Sequence, residues 1–183
     1  GMETAVAKVT AITMRKDPIF QAMLTGMPMT ENHWLKKWAL AAALRRIAGE
    51  VADVKAVNVT VGGTAAYHVV VSISKKMEIE PRNVILALLG ARGRPRLVIV
   101  VDDDIDVYNP IDVEWAVATR VRPDKDVIIL PAQIPAHLEP LPRLIAPAPS
   151  VGAMWGIDAT MSIKDSEWYR KIRVPGVEKV DYI

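Results

Sequence analysis

The sequence predicts a layered α/β domain with a central mixed, mainly parallel sheet, and two apolar runs with a helix between them carry this prediction. Residues 97–101, LVIVV, form an uninterrupted apolar run typical of a strand covered on both faces, and residues 127–130 form another. The helix should begin with Asn109 as N-cap and Pro110 at its first position, and end near Arg120. Together these elements predict a βαβ unit, so we expect two parallel strands separated by at most one other strand.

The composition of the 183-residue chain suits one compact domain, spanning residues 1–183. Apolar residues make up 51% of it, which is enough for a sizeable core. The 23 Lys and Arg residues are interspersed with 21 Asp and Glu residues, a pattern that favours neither nucleic acid nor an acidic membrane surface as a partner. The lack of cysteine excludes disulfides and thiolate metal sites, and the sequence has no 18-residue apolar run. We therefore expect a cytoplasmic protein, and Gly1 before Met2 is typical of a residue left by an expression tag.

Shorter patterns predict the elements of the first ninety residues. Gly62 and Gly63 lie between two alternating runs that fit closely paired strands. The longest helix has an apolar stripe formed by Leu40, Ala43, Leu44 and Ile47. Continued backwards, this stripe passes through Lys36 and His33, so polar groups should occupy the start of a core-facing surface. In chain order we expect a strand at 5–14, a short helix at 18–24, a turn at 26–28, a helix at 31–48, strands at 54–61 and 65–74, and a helix at 82–89.

After the second apolar run the composition changes. Six prolines between positions 131 and 149 argue against regular structure, so residues 131–150 should form an extended, irregular arm. A loop of this length is usually functional or a linker. Residues 160–183 form a closing tail that contains Trp168 and Tyr169.

Four aspartates follow the first apolar run, at Asp102, Asp103, Asp104 and Asp106. Three of them match the first ligand positions of a calcium-binding loop. The match fails further along, because Val107 replaces the turn glycine and Val113 replaces the bidentate glutamate. We therefore expect a capped, solvated turn and no metal site in this chain.

Four ordered segments resemble the C-terminal part of the UbiD family of prenylated-flavin-dependent decarboxylases, and the resemblance covers residues 8–183. The four segments are residues 9–26, 29–35, 101–126 and 155–160. The resemblance implies reversible decarboxylation of an aromatic or α,β-unsaturated carboxylic acid on prenylated FMN. In this family the catalytic arginine and glutamate, most of the flavin site and its metal ion lie upstream of the matched region. We accordingly expect no catalytic residue and no bound cofactor in this chain alone.

The resemblance also implies a substrate pocket. Asn32, His33 and Lys36 align with a helix start that lines the pocket in these enzymes, and a helix N-terminus favours a carboxylate. The alternative is that Asn32 caps the helix while His33 and Lys36 are surface groups. Ala136, His137 and Leu138 align with a family segment that lies over the substrate.

Residues 90–96, GARGRPR, have the glycines and arginines of a phosphate-binding loop. The resemblance implies that Arg92 or Arg94 contacts the cofactor phosphate. However, ligand crevices of open α/β sheets form beyond the carboxyl ends of the strands, where we expect Asp102 and residues 131–138. A basic surface connection between helix and strand is therefore favoured for these arginines.

Two classes of function remain open. The chain could be the C-terminal domain or split subunit of a decarboxylase, inactive alone, that supplies part of the substrate pocket and the oligomer contact. If Met2 is a natural start, the enzyme would be divided into two polypeptides. Alternatively, the chain could be a stand-alone binding or assembly module of the same fold. In either class the aromatic and methionine residues near both ends predict self-association as a dimer or higher oligomer.

Overall fold

The computed structural model describes residues 6–27, 29–91, 95–134, 151–164, 166–169, 171–172 and 174–176. Four helices, five strands and a short 3-10 helix lie in these ranges. In chain order they are α1 (Glu31–Ala48), β1 (Val54–Val59), β2 (His68–Ile73), α2 (Glu80–Leu89), β3 (Leu97–Asp102), α3 (Pro110–Arg120), α4 (Pro123–Asp126), β4 (Val127–Gln133), β5 (Gly152–Ala159) and the 3-10 helix Ser166–Tyr169.

The five strands form one mixed sheet in the order β1-β2-β3-β5-β4, which confirms the predicted fold class. The three central strands β2, β3 and β5 are parallel, and the two edge strands β1 and β4 are antiparallel to their neighbours. The predicted strands at 97–101 and 127–130 are separated by one strand, as expected. Their predicted parallel direction is wrong, because β4 runs antiparallel to β5.

The turn between β3 and α3 explains why β4 runs the other way. This turn carries the chain across the sheet to β1, where Asn58 Nδ2 donates to the carbonyl of Val107 at 2.7 Å. The helix α3 then leads back to the carboxyl end of β3, where its last residue, Arg120, contacts Asp102. Since the helix ends at the edge where β3 ends, the next strand must run in the opposite direction. The predicted N-cap is confirmed, with Asn109 Oδ1 accepting from the amide of Ile111.

Two apolar clusters lie on opposite faces of the sheet. The helices α1 and α2 cover one face, with Leu44, Ile85 and Leu88 fully buried against alternate residues of β2 and β3. The helix α3 covers part of the other face, where Val113 and Ala116 pack against the remaining residues of β3 and β5. This second face is left partly open beside β1 and β2.

The strand β5 was not predicted from the sequence, although it lies inside the sheet between β3 and β4. Its sequence, GAMWGIDA, contains two glycines, which normally weaken a strand. The structure shows why Gly156 is required: a Cβ there would lie 2.2 Å from Cγ2 of the fully buried Ile85 on α2. Close packing of helix on strand therefore depends on the missing side chain.

The described residues of the N-terminal segment, 6–27, contain neither helix nor strand. The predicted strand at 5–14 and short helix at 18–24 are therefore wrong over these residues. Their apolar side chains lack a surface to pack on, and Phe20 is 91% exposed. Local alternation cannot make a strand without a neighbouring strand to complete its hydrogen bonds.

The beginning of the expected irregular arm is instead part of β4, which continues through Pro131 to Gln133. Proline is tolerated there because β4 is an edge strand. The pairing shifts between Leu130 and Gln133, and Ala132 has a φ of 56°. The rest of the arm, 135–150, lies outside the described residues. No helix in the described ranges is both long and apolar enough to cross a membrane.

Replacing Gly156 by Ala should lower the free energy of unfolding by about 1–3 kcal/mol, because the new methyl group would overlap Ile85 in a closely packed core. Chemical denaturation with urea would measure the loss. Gly62→Ala is the matched control, since a Cβ at Gly62 meets no atom within 4 Å. Equal stabilities of the Gly156→Ala protein and the wild type would contradict the close approach.

Candidate functional site

The partly open face of the sheet forms an apolar groove of about 660 Å³. It is enclosed by the start of α1, by the strands β1 and β2 with the loop between them, and by α3. Its walls comprise Trp34, Lys37, Asn58, Thr60, Val61, Gly62, Gly63, His68, Val70, Ile99, Val107, Tyr108, Pro110, Val113, Glu114 and Val117. The size and the largely apolar walls with a few polar groups are typical of a small-molecule site.

One polar group in the groove is the ammonium of Lys37, a residue that is only 6% exposed. Its Nζ lies 5.1 Å from the ring centre of Trp34 and 5.6 Å from that of Trp38, within cation–π distance of both indoles. Burial lowers the pKa of Lys37 below its ordinary value. Within the described ranges no carboxylate forms an ion pair with this lysine.

Asn58 and His68 supply further polar atoms on the β1–β2 side of the groove. Asn58 is buried, and while its Nδ2 donates to Val107, its Oδ1 accepts no hydrogen bond from any described residue. Burial, followed by the positive charge of Arg96, lowers the pKa of His68, which favours the neutral imidazole. Gly63 lets the chain pass close to this histidine, because a Cβ there would lie 2.4 Å from the Cβ of His68.

The helix start predicted to line a pocket lies beside the groove, but with a different orientation from the one predicted. Lys36 is exposed, and the buried stripe of α1 runs through Lys37, Ala41, Leu44 and Ala48. The prediction that the stripe passes through Lys36 and His33, and includes Ala43, is therefore wrong by about one residue. The chain has two adjacent lysines, and the structure turns the second into the groove.

The other two predicted residues at this helix start have local partners. His33 Nδ1 accepts from the amide of Thr30 at 3.3 Å, which stabilises the first turn of the helix. Asn32 Nδ2 donates to the hydroxyl of Thr25 at 2.7 Å. The N-cap is Thr30, so the alternative that Asn32 caps the helix is wrong. The remaining predicted site residues, Arg92, Arg94, Ala136, His137 and Leu138, lie outside the described residues.

A second, polar cavity of about 530 Å³ lies at the carboxyl ends of β2, β3 and β5. In open α/β sheets a ligand crevice forms beyond the carboxyl ends of the strands, where the helices before and after a strand lie on opposite faces of the sheet. The helices α2 and α3 lie on opposite faces in this way, before and after β3. Lys75 lies in this cavity, where its Nζ contacts Glu78, the hydroxyl of Thr160 and the carbonyl of Met161. Pro131 lies elsewhere than predicted, because the antiparallel β4 carries it to the amino end of β5.

Three of the four aspartates at the end of β3 and in the following turn bind protein groups. Arg120 contacts both Asp102, at 2.9 Å, and Asp104, at 2.7 Å, and its own side chain is fully buried. Asp106 Oδ1 accepts from the amide of Tyr108 at 2.9 Å. The turn is therefore held by ion pairs and hydrogen bonds, and no three acidic or histidine side chains among the described residues are placed to hold a metal ion.

Asp158 is the most unusual acid of the polar cavity. It lies near the end of β5 and its Oδ1 accepts from both the amide and the hydroxyl of Thr160, at 3.0 and 2.7 Å. Burial raises the pKa of Asp158 above its ordinary value, and the hydrogen bonds from Thr160 oppose this effect. Burial likewise raises the pKa of Asp102 despite its ion pair with Arg120.

Comparison with known protein families identifies one family whose model matches more than half of the chain. The 3-octaprenyl-4-hydroxybenzoate carboxy-lyase C-terminal domain, UbiD_C, matches residues 33–159. The chain is 34% identical over 170 residues to an anhydromevalonate phosphate decarboxylase of Methanosarcina mazei, and the match covers 93% of this chain and 39% of that protein. It is also 34% identical over 171 residues to the protein of the same name from Methanocaldococcus jannaschii, covering 93% of this chain and 40% of the relative.

Solved structures show the same fold. The UbiD-class enzyme HmfF from Pelotomaculum thermopropionicum, in complex with FMN, superposes with a TM-score of 0.73 and 35% identity over 82% of this chain and 33% of that one. The vanillic acid decarboxylase of Sedimentibacter hydroxybenzoicus, in its open form, gives a TM-score of 0.70 and 29% identity over 90% of this chain and 36% of that one. This chain therefore spans a third to two fifths of the length of these relatives.

Replacing Asp158 by Asn should raise the melting temperature at pH 7 by about 2–4 °C, the change that roughly 1 kcal/mol produces in a domain of this size. The amide keeps the Oδ1 acceptor for Thr160 but removes a buried charge. Because the pKa of Asp158 is raised in the folded state, the wild type loses stability as pH rises above about 4, the ordinary value. The gain of the variant should therefore shrink as pH is lowered towards 4.

Thermal unfolding between pH 4 and pH 8 would measure this difference. Asp124→Asn is the matched control, since the side chain of Asp124 is 63% exposed and its ion pair with Arg122 lies at the surface. If the Asp158→Asn protein is less stable than the wild type at pH 7, the folded state favours the charged form of the Asp158 carboxyl group.

Proposed function

The chain belongs to the UbiD family, and we propose from this that it is the C-terminal domain, or a separate subunit, of a decarboxylase that acts on an aromatic or α,β-unsaturated carboxylic acid. The observation that carries this proposal is the 34% identity to anhydromevalonate phosphate decarboxylase over 93% of the chain. The fold shared with HmfF at 35% identity supports it. The matched relatives are more than twice as long, so in this proposal the flavin chemistry depends on a further polypeptide segment.

The proposed role of this chain is to supply one wall of the substrate pocket. The apolar groove suits the carbon skeleton of an aromatic or unsaturated acid, because its walls are largely apolar and it has aromatic side chains at Trp34 and Tyr108. Asn32, His33 and Lys36 stay predicted substrate contacts on the basis of the resemblance, although the residues of this helix start that line the groove are Trp34 and Lys37. Ala136, His137 and Leu138 remain predicted contacts on the basis of the resemblance alone.

Prenylated FMN is the proposed cofactor of the complete enzyme, with its metal ion bound outside this chain. The described residues of the groove do not fit a complete flavin site, because a phosphate needs several converging donors and Lys37 is the one cation among its lining residues. In the polar cavity, Lys75 and Arg120 are already bound to Glu78, Asp102 and Asp104. Arg92 and Arg94 stay predicted phosphate contacts, and they alone would contribute only part of the binding free energy.

The isolated chain should therefore bind prenylated FMN weakly and show no decarboxylase activity. Co-expression with the flavin-binding N-terminal portion of a UbiD relative should give a coloured complex that releases CO2 from its acid substrate. An absorbance scan of the purified protein and a CO2-release assay measure the two properties. The control is the same N-terminal portion expressed without this chain.

Two results would contradict this assignment. A yellow isolated chain that turns over an aromatic acid would show that no further segment is needed. Failure of every flavin-binding portion to form a complex would favour a stand-alone binding or assembly module.

We also propose that the chain self-associates, most simply as a dimer. HmfF has been obtained in an evolved dimeric form, and that structure is 33% identical to this chain. Large apolar side chains are exposed in the N-terminal third and near the C-terminal end of the described chain, among them Trp38, Trp168 and Ile172. Exposed aromatic residues of this kind are enriched at interfaces, because association removes them from water.

Light scattering at micromolar concentration should give a dimer mass or a larger one, and deletion of residues 168–183 should reduce it. The tail contributes Trp168, which is 88% exposed in the single chain. The control is Ile129→Ser, which removes one exposed apolar side chain from β4 and leaves the tail intact. A monomeric mass that is unchanged by the deletion would argue against both the dimer and the role of the tail.

A further inference from the structure

The side of α1 that faces away from the sheet is apolar, although a helix at a protein surface normally turns charged residues to water there. The buried stripe of α1 runs through Lys37, Ala41, Leu44 and Ala48. Each residue turns the helix by about 100°, which places four exposed residues on the opposite side. They are Leu35, Trp38, Ala39 and Ala42, and we call them the outer stripe.

The outer stripe combines large and small side chains at the spacing with which one helix packs on another. Its members follow Leu35 at intervals of three, four and seven residues. Leu35 is 66% exposed and Trp38 is 58% exposed. Ala39 and Ala42 leave room for large side chains from a second helix. Exposed apolar surface of this kind marks an interaction site, and its shape fits another helix.

The outer stripe and the charges at its ends are symmetrical about the midpoint of residues 38–39. Leu35 lies as far before this midpoint as Ala42 lies after it. On the same side of the helix, Glu31 precedes the stripe and Arg46 follows it, again at equal distances from the midpoint. A helix with this pattern is complementary to an identical helix that runs in the opposite direction.

We propose that the outer stripe is an interface with a second copy of this chain, in which the two α1 helices pack antiparallel about a two-fold axis. In this arrangement Trp38 of each copy faces Ala39 of the other, and Leu35 faces Ala42. Each large side chain therefore meets a small one. A two-fold interface requires one surface that is complementary to itself, and the outer stripe has this property.

The same register brings opposite charges together at both ends of the helix pair. Glu31 of each copy meets Arg46 of the other, and both residues are exposed. The ion pair that Arg46 forms with Glu50 lies at the surface and contributes little, so Arg46 can turn to a new partner. The antiparallel direction also brings the positive end of each helix dipole to the negative end of the other.

Two other arrangements fit the pattern less well. A parallel pair of the same helices would place Glu31 beside Glu31 and Arg46 beside Arg46, and like charges at an interface are unfavourable. A partner of unrelated sequence would also cover the outer stripe, but it would not require a symmetrical pattern. The reciprocal order of large, small and charged residues therefore favours a second copy.

This inference rests on the proposed self-association, whose surface it identifies, and it is independent of the decarboxylase assignment. The outer stripe has few residues compared with the roughly 20–30 per partner of a standard interface. The α1 pair alone should therefore give a weak dimer whose population rises with protein concentration.

Sedimentation equilibrium of the full chain at micromolar concentrations measures this association. Leu35→Glu should raise the dissociation constant about 10-fold or more, because a carboxylate would lose its water against Ala42 of the other copy. Ile111→Glu is the matched control, since Ile111 is an apolar residue of α3 that is 75% exposed. An unchanged dissociation constant in Leu35→Glu would overturn the proposal.

Two charge reversals test whether the interface is complementary to itself. Glu31→Arg or Arg46→Glu places like charges at both ends of the pair, so each variant alone should associate about 10-fold more weakly. An equimolar mixture of the two variants should associate as well as the wild type, because a mixed pair has opposite charges at both ends. Arg122→Glu, which reverses an exposed charge outside α1, is the control. A mixture that associates no better than its components would overturn the antiparallel pairing.

A melting curve shows whether a variant has lost the interface or the fold. If a charge reversal unfolds the chain, Ala39→Gln provides a second test at an exposed position. The longer side chain would overlap Trp38 of the other copy and should weaken the association. Association of a folded Ala39→Gln protein at the wild-type level would still overturn the proposal.

Deletion of residues 168–183 distinguishes this interface from the one proposed for the tail. The deletion leaves α1 intact, so the mass should fall no further than that of a dimer. A chain that becomes monomeric on deletion and does not respond to Leu35→Glu associates through the tail, which would overturn the proposal. A chain that is monomeric at every concentration, and in which Leu35→Glu blocks the complex with a flavin-binding portion, would show that the outer stripe docks that portion instead.

Discussion

The guanidinium of Arg120 connects the elements that meet at the carboxyl edge of the sheet. It binds Asp102 at the end of β3 and Asp104 in the following turn, and it donates to the carbonyl of Tyr169 in the 3-10 helix. Asp102 in turn accepts from the amide of Met161, just after β5. Loss of Arg120 would leave the two carboxylates without their cation, so the ends of two central strands and of α3 depend on one another.

Much of the fold could be predicted because its signals are local. The apolar run of β3 and the Asn109–Pro110 start of α3 specify their structure within a few residues. The direction of β4 could not be predicted, because it depends on a turn held by Asn58 of a distant strand. The central strand β5 was missed because the requirement for Gly156 comes from Ile85, 71 residues earlier in the chain.

The orientation of α1 at the groove could not be predicted for a similar reason. Each residue turns an α-helix by about 100°, so an error of one position in the buried stripe exchanges an exposed lysine for a buried one. The stripe of α1 was predicted from Leu40, Ala43, Leu44 and Ile47, and of these four residues only Leu44 is buried. Contacts with Trp34 and Trp38 place Lys37 rather than Lys36 at the groove, and no spacing rule contains that information.

Both edges of the sheet are built in ways that discourage further strands from adding to them. At β4, Pro131 lacks an amide hydrogen and Ala132 has left-handed backbone geometry, so the edge has no regular ladder of donors. At β1, the pairing is irregular between Val54 and Ala56, and the residue between them is the charged Lys55. The sheet is thereby protected against edge-to-edge aggregation. An assembly that does not use these edges forms through side chains. Side-chain contacts differ between proteins, whereas the backbone of an open strand edge would pair with any other strand.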